Sequence, residues 1–180
     1  MEHERFAPLV LEHTAMMARV AAALVGADAE DAAQEALVRA WRAWPTLRDP
    51  ASTRAWLMQI TVNVCRSWRT RGQGLRVNTE DRLDAATEQH LALDIAVGAS
   101  EHIDALDLRR CVRDLPEDMR TVIALRFYAS MDSTEIGELL GEPATTIRGR
   151  LRRALLRLRE SLDRESASAL SQVTPSRRDA

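Results

Sequence analysis

The 180-residue sequence contains no lysine; all 25 of its basic residues are arginine. Codon bias from a G+C-rich genome is the main reading, but every positive charge then sits on a planar fork suited to phosphates and guanine edges. Seven aromatics, four of them Trp, are few for a β-rich fold. Two cysteines, Cys65 and Cys111, lie far apart in helical patterns, which excludes a disulfide framework and suggests reduced packing residues. No apolar stretch approaches the roughly 20 residues of a membrane span, and the N-terminus lacks the basic-then-apolar layout of a signal peptide. The expectation is a cytoplasmic protein with no direct membrane insertion. His3, His13, His90 and His102 show no metal-ligand spacing. No Gly-rich phosphate loop, nucleophile elbow or paired catalytic acids emerge, so neither an enzyme nor a cofactor is expected.

What is present is a globular composition, 46% hydrophobic and 29% charged, whose net charge of −2 conceals blocks of opposite sign. Residues 28 to 76 carry +3, residues 77 to 107 carry −7, and residues 108 to 165 carry +2, with six Arg and no acid from Arg148 to Arg159. The acidic middle has weak periodicity and reads as a flexible linker. The spacing predicts an all-α fold of two small domains, residues 1–75 and 106–165, joined by an acidic linker over 76–105. The Ser-rich segment 166–180 reads as a disordered tail.

In the first domain Phe6, Leu9, Val10, His13, Met16, Met17, Val20 and Leu24 recur at helical spacing up to Gly26. Asp28 is placed to cap a second helix, with Ala33, Leu37, Ala40, Trp41 and Trp44 as its buried stripe and Asp31, Gln34, Glu35 and Arg39 opposite. Pro45 to Ser52 reads as a loop. A third helix follows, with Leu57, Ile60, Val64 and Trp68 on one face and Gln59, Asn63, Arg66 and Arg69 on the polar side. Trp41, Trp44 and Trp68 are read as core rather than as base-stacking surfaces, while Trp56 stays open between the two.

In the second domain LDLRRCVRDL and PEDMRTVIALRFY make two helices, the latter started by Pro116 and two acids. Asp132 and Glu135 have the spacing of a capping box at the head of DSTEIGELL. Gly141 then turns the chain into ATTIRGRLRRALLRLRESL, whose arginines lie over Ile147, Leu151, Leu155, Leu158 and Leu162. A short helix and an Arg-rich second helix joined by a tight Gly turn are how a helix-turn-helix reads. The arginines at its start, among Arg148, Arg150, Arg152 and Arg153, suit guanine edges, while Arg157 and Arg159 suit phosphate or solvent.

Two segments together resemble the extracytoplasmic-function (ECF) group of bacterial sigma-70-type sigma factors. DAEDAAQEALVRAWRAW with TRAWLMQITVNVCRSWRTR is similar to conserved region 2, and LRRCVRDLPEDMRTVIALRFYASMDSTEIGELLGEPATTIRGRLRRALLRLRESL to region 4. The resemblance implies an initiation factor that brings core RNA polymerase to promoters and aids DNA opening. By position it assigns Asp28, Asp31, Gln34, Glu35 and Arg39 to the coiled coil of the polymerase β′ subunit, with the β subunit a further contact. It assigns the Pro45–Ser52 loop and Asn63 to a base flipped from the minus-10 element, and Arg66, Arg69 and Arg71 to that strand's phosphates. Thr146, Arg148, Gly149, Arg152 and Arg153 match positions facing the minus-35 element. It also implies an anti-sigma protein as partner.

The sequence departs from the family at the recognition helix, where Thr145, Thr146 and Ile147 replace the usual Gly-Thr-Val and Gly149 replaces a common Ser. The two promoter elements lie about two turns of duplex apart, on the order of 70 Å. A relaxed linker of this length spans only about 30 Å, so it must be stretched by a partner. Free in solution, the acidic segment is expected to fold back on the basic modules. The alternative class is a helix-turn-helix regulator binding a palindromic operator as a dimer.

Overall fold

The computed structural model describes residues 6–47, 49–72 and 105–172. Among these residues every regular element is helical. The expected linker over 76–105, apart from Ala105, and the last eight residues of the expected tail lie outside the described residues.

The first module is a bundle of three helices. Helix α1 (Phe6–Val25) stops where Gly26 takes φ +65°, a left-handed conformation free of strain only without a Cβ. A 3-10 turn, Gly26–Asp28, leads into α2 (Ala29–Ala43). Asp28 holds the N-cap position but makes no side-chain cap bond, contrary to expectation. The turn itself supplies the acceptor, because the Ala29 N–H bonds the Gly26 carbonyl. Helix α2 buries Ala29, Ala32, Ala33, Ala36 and Ala40, and side chains this small let α1 and α3 (Thr53–Gly72) approach closely. Trp41, expected in the core, is 41% exposed; an all-Ala seam leaves no room for an indole, and its ring sits edge-on to Phe6 at the margin, 5.0 Å between centroids. Trp44 meets Phe6 at 5.3 Å and Trp56 at 6.3 Å, also edge-on.

The segment Phe6–Thr46 contains a window as apolar as a membrane-crossing helix, which the sequence reading did not anticipate. Burial accounts for it: Met17, Val20, Ala21 and Leu24 of α1 are within 3% of complete enclosure, since α1 packs on α2, α3 and the second module at once.

The second module holds α4 (Ala105–Asp114), α5 (Glu117–Phe127), α6 (Ser133–Leu140) and α7 (Ala144–Gln172). The expected capping box is present: Asp132 accepts from the Thr134 and Glu135 N–H groups, and Glu135 accepts from the Asp132 N–H at 2.7 Å. Such a cap is worth about 1 kcal/mol. Gly141 closes α6 at φ +71°. Gly137 lets the next turn cross: a Cβ there would meet the Glu142 carbonyl oxygen at 2.5 Å. Helix α7 runs on through Gln172, so residues 166–172 are helical rather than tail; Ala, Leu and Ser continue the helix and no glycine or proline interrupts it before Pro175.

Helix α5 is enclosed on two sides. Met119 and Ile123 join Leu108, Cys111, Val112, Leu115, Ala154 and Leu158 in a core private to this module. Val122, Leu125 and Tyr128 belong instead to a cluster continuous with the first module's core. The two modules therefore pack directly on one another, α1 along α5 and α3 against α6.

Candidate nucleic-acid interface

A groove lies on the second module, where the end of α5, the start of α6 and one face of α7 converge. It encloses about 700 Å³ and is lined by Arg126, Asp132, Ser133, Thr134, Arg148, Leu151, Arg152, Leu155, Leu156 and Arg159. Four guanidiniums thus ring an apolar floor in which Leu155 and Leu156 stay about half exposed, 47% and 52%. Asp132 sits among them with its carboxyl below the usual carboxylate range, because the Glu135 and Thr134 N–H groups bond it and Arg126 and Arg148 stand near.

The helical period explains which arginines reach this groove. Arg148 and Arg152 are four residues apart and share a face with the groove. Thr146, Gly149 and Arg153 are exposed but do not line the groove, and nothing lies within 4 Å of where a Gly149 Cβ would stand. Arg150 turns the other way: only 14% exposed, it forms a fork with Glu142 at 2.7 and 2.9 Å and meets Asp118 at 3.1 Å. It fastens α7 to α5. Arg126 was missed by sequence reasoning, because it sits in α5 outside the Arg-rich run; its guanidinium donates to the Met131 carbonyl at 3.1 Å, which fixes it at the groove's rim.

On the first module, Asp28, Asp31, Gln34 and Arg39 are exposed along one side of α2. Glu35 is not simply another member of that face. One carboxylate oxygen accepts from Arg39 at 2.5 Å, the other from the Trp68 indole N–H at 2.6 Å and from Arg71 at 3.3 Å. These donors hold its carboxyl below the usual range, the indole most of all. Arg71 in turn stands 5.4 Å over the Trp68 ring, a cation–π arrangement. The expected polymerase face and the expected strand track are therefore joined through one carboxylate.

Asn63 and Arg66 are exposed on α3 as expected, Asn63 accepting from Gln59 at 3.4 Å. Arg69 departs from them: it is 23% exposed and pairs with Glu117 of the second module at 3.3 Å. The loop between α2 and α3 is two 3-10 turns, Trp44–Thr46 and Pro50–Ser52, the second started by Asp49, which accepts from Ala51 and Ser52. Neither Cys65 nor Cys111 is in a disulfide and both are buried; Cys111 donates to the Glu165 carboxylate at 3.4 Å, and burial pushes the Cys65 thiol up to about 12, consistent with packing rather than reactivity.

Comparison with known proteins gives these surfaces a family. The Sigma-70 region 2 model matches residues 9–74 and the Sigma-70, region 4 model residues 111–160. The RNA polymerase sigma-E factor of Streptomyces coelicolor is 32% identical over 139 residues, 75% of this chain and 72% of that protein. The ECF RNA polymerase sigma-E factor of Escherichia coli (strain K12) is 31% identical over 144 residues, 76% of this chain and 72% of that one. Among solved structures, the sigma factor RpoE in complex with the anti-sigma factor NepR from Bartonella quintana aligns at a TM-score of 0.70 and 23% identity, over 89% of this chain and 98% of that one. CnrH in complex with the cytosolic domain of CnrY aligns at 0.61 and 25% identity, over 88% and 87%. With a region 2 bundle, a region 4 helix-turn-helix and relatives of this extent, the chain belongs to the ECF sigma factors, which bind core RNA polymerase and promoter DNA and direct transcription initiation.

Proposed function

We propose that the two modules divide promoter reading as the sequence suggests, with residues 1–75 taking core polymerase and the minus-10 element, 106–165 the minus-35 element, and 76–105 connecting them. The arginine-ringed groove carries this reading. Arg148 and Arg152 line its opening, and Thr146, Gly149 and Arg153 are exposed on the same helix, an arrangement that suits a recognition helix in a major groove. Arg126 and Arg159 stand at the same opening, where they suit the flanking phosphates.

On the first module the exposed side of α2, with Asp28, Asp31, Gln34 and Arg39 around the braced Glu35, serves the β′ coiled coil, and the β subunit is the further contact. Asn63 with the Pro45–Ser52 loop receives the flipped base, and Arg66, Arg69 and Arg71 follow the strand. Sigma factors are non-enzymatic initiation factors, and this chain acts in the cytoplasm without catalysing a reaction. The RpoE of Bartonella quintana was captured with an anti-sigma factor, which supports a protein inhibitor here as well.

Run-off transcription with core polymerase tests the assignment. A transcript from an asymmetric two-box promoter that depends on added chain is expected. Binding to a palindromic operator as a dimer, with no transcript, would establish the regulator alternative instead.

A further inference from the structure

We infer that Asp132 is a positioning residue for promoter reading: its unpaired carboxylate oxygen holds the Arg148 guanidinium on a base edge and away from the phosphates. The inference deepens the minus-35 reading proposed above and rests on it. The capping role expected from sequence occupies only half of the Asp132 carboxylate. Both capping N–H groups, those of Thr134 and Glu135, bond the same oxygen, Oδ1, at 2.7 and 2.9 Å. The other oxygen, Oδ2, has no partner among the described residues.

Asp132 is exposed, and it is the one acid lining the groove that Arg126, Arg148, Arg152 and Arg159 ring. Arg126 and Arg148 stand near enough to favour its charged form. Arg126 is already committed to the Met131 carbonyl at 3.1 Å. Arg148 is exposed and bonded to nothing among the described residues. One free guanidinium and one free carboxylate oxygen thus line the same groove, the first on α7 and the second at the head of α6, without forming an ion pair. The capping box fixes where the negative charge sits, because two N–H bonds to Oδ1 and the reciprocal bond from the Asp132 N–H to Glu135 hold the side chain in place.

A flexible arginine on a DNA-reading surface has two destinations. A phosphate carries a full negative charge and draws it more strongly than a neutral guanine edge does, yet contact there conveys no sequence. A fixed carboxylate beside Arg148 reverses that preference. The guanidinium presents its N–H donors in a planar fork, so Oδ2 can take one side of the fork while the other stays directed at guanine O6 and N7. The pair is then neutral as a unit, and the phosphates attract it little. Arg148 is in this way oriented by the fold before DNA arrives. Oδ2 could instead accept from a cytosine amine directly, and the two roles give different results below.

The experiment measures binding of the full chain with core polymerase to a duplex carrying an upstream element obtained by selection, to its guanine-substituted variants, and to an unrelated duplex. Asp132→Asn removes the charge and keeps a good N-cap, so the melting temperature is expected to hold. Discrimination against the guanine-substituted variants is expected to fall about tenfold, as for one lost bidentate base contact. Affinity for the unrelated duplex is expected to rise about threefold, and its log–log salt slope to steepen by about 0.9, as Arg148 gains a phosphate. Asp132→Ser, likewise neutral and capping, moves all three the same way. A cap and nothing more predicts unchanged discrimination and salt slope in both variants, and that result overturns the inference. Adding Arg148→Ala completes a double-mutant cycle. Once Arg148 is gone, Asp132→Asn is expected to have no further effect on discrimination; a persisting effect makes Asp132 a base reader itself and overturns the positioning role. Arg148→Ala alone separates the two levels. If it leaves discrimination unchanged, the minus-35 assignment of the groove has failed and this inference with it. If it abolishes discrimination while Asp132→Asn changes nothing, this inference alone has failed.

Discussion

The indole N–H of Trp68 donates to Glu35 at 2.6 Å, tying the third helix to the face of the second that is assigned to core polymerase. Removing that acceptor strands a half-buried indole N–H and leaves Arg39 and Arg71 without their shared carboxylate. Glu35→Ala should lower stability by about 1 kcal/mol, the partial exposure keeping it at the low end for a bond to a charged group, and should change Trp68 emission. Glu35→Gln, which retains one acceptor oxygen, should lose less. Thermal melts and tryptophan fluorescence check this, and equal losses in the two variants would show that the bond is unimportant.

The same carboxylate predicts a pH response. Its pKa in the folded chain lies below the ordinary 4.5, so its contribution is complete above that value and is lost only as pH falls through the lower folded value. Neutral to mildly acidic melts should be flat with respect to this group. Below about pH 4.5, wild type should lose stability relative to Glu35→Gln, and the two curves should converge. A constant difference between them down to strong acid would contradict the assignment.

Gly137 is where α6 meets the following turn, and a side chain there tests how tightly that crossing is packed. A Cβ would stand 2.5 Å from the Glu142 carbonyl oxygen and 3.3 Å from the Ala144 nitrogen, and both are backbone atoms with nowhere to swing. Gly137→Ala should cost about 1–3 kcal/mol, seen as a lower melting temperature of the second module.

The private features of each module were legible because they are local. The Asp132–Glu135 box, the Gly26 and Gly141 stops and the Arg148 and Arg152 positions each depend on spacing within one turn or two. The contact between modules is not local, and Arg54 shows why: its partners Ala129 and Glu135 lie 75 and 81 residues away. One signal was present. The run Val122-Ile123-Ala124-Leu125 has no polar side, and such a turn must be covered from more than one direction; α1 and α7 cover it. Trp41 misled for the opposite reason, since the period placed it on the buried stripe while the close alanine seam excluded its bulk.

Gly149 is a site where the chain forgoes stability. It is in mid-helix, exposed, and has open space around its missing Cβ. Gly149→Ala should therefore stabilise α7 by up to about 1 kcal/mol. Gly149→Ser adds back the hydroxyl common in the family and should shift preference at one base step of the upstream element, read by a binding selection on duplex variants. Stabilisation with no change in preference would place that residue off the DNA.

Arg148 and Arg150 are two residues apart and should fail in opposite ways. Arg148 is exposed at the groove's mouth, so Arg148→Ala should reduce upstream-element binding at least about tenfold, the loss of one bidentate base contact, with melting temperature and core binding preserved. Arg150 is turned inward onto Glu142 and Asp118, and Arg150→Ala should lower the melting temperature because two carboxylates lose their counter-charge and α7 loses its fastening to α5. Any loss of DNA binding in Arg150→Ala should then track unfolding and disappear at low temperature. A gel shift at two temperatures beside a core pull-down distinguishes these outcomes; a temperature-independent DNA defect in Arg150→Ala would put the recognition surface on the other side of α7.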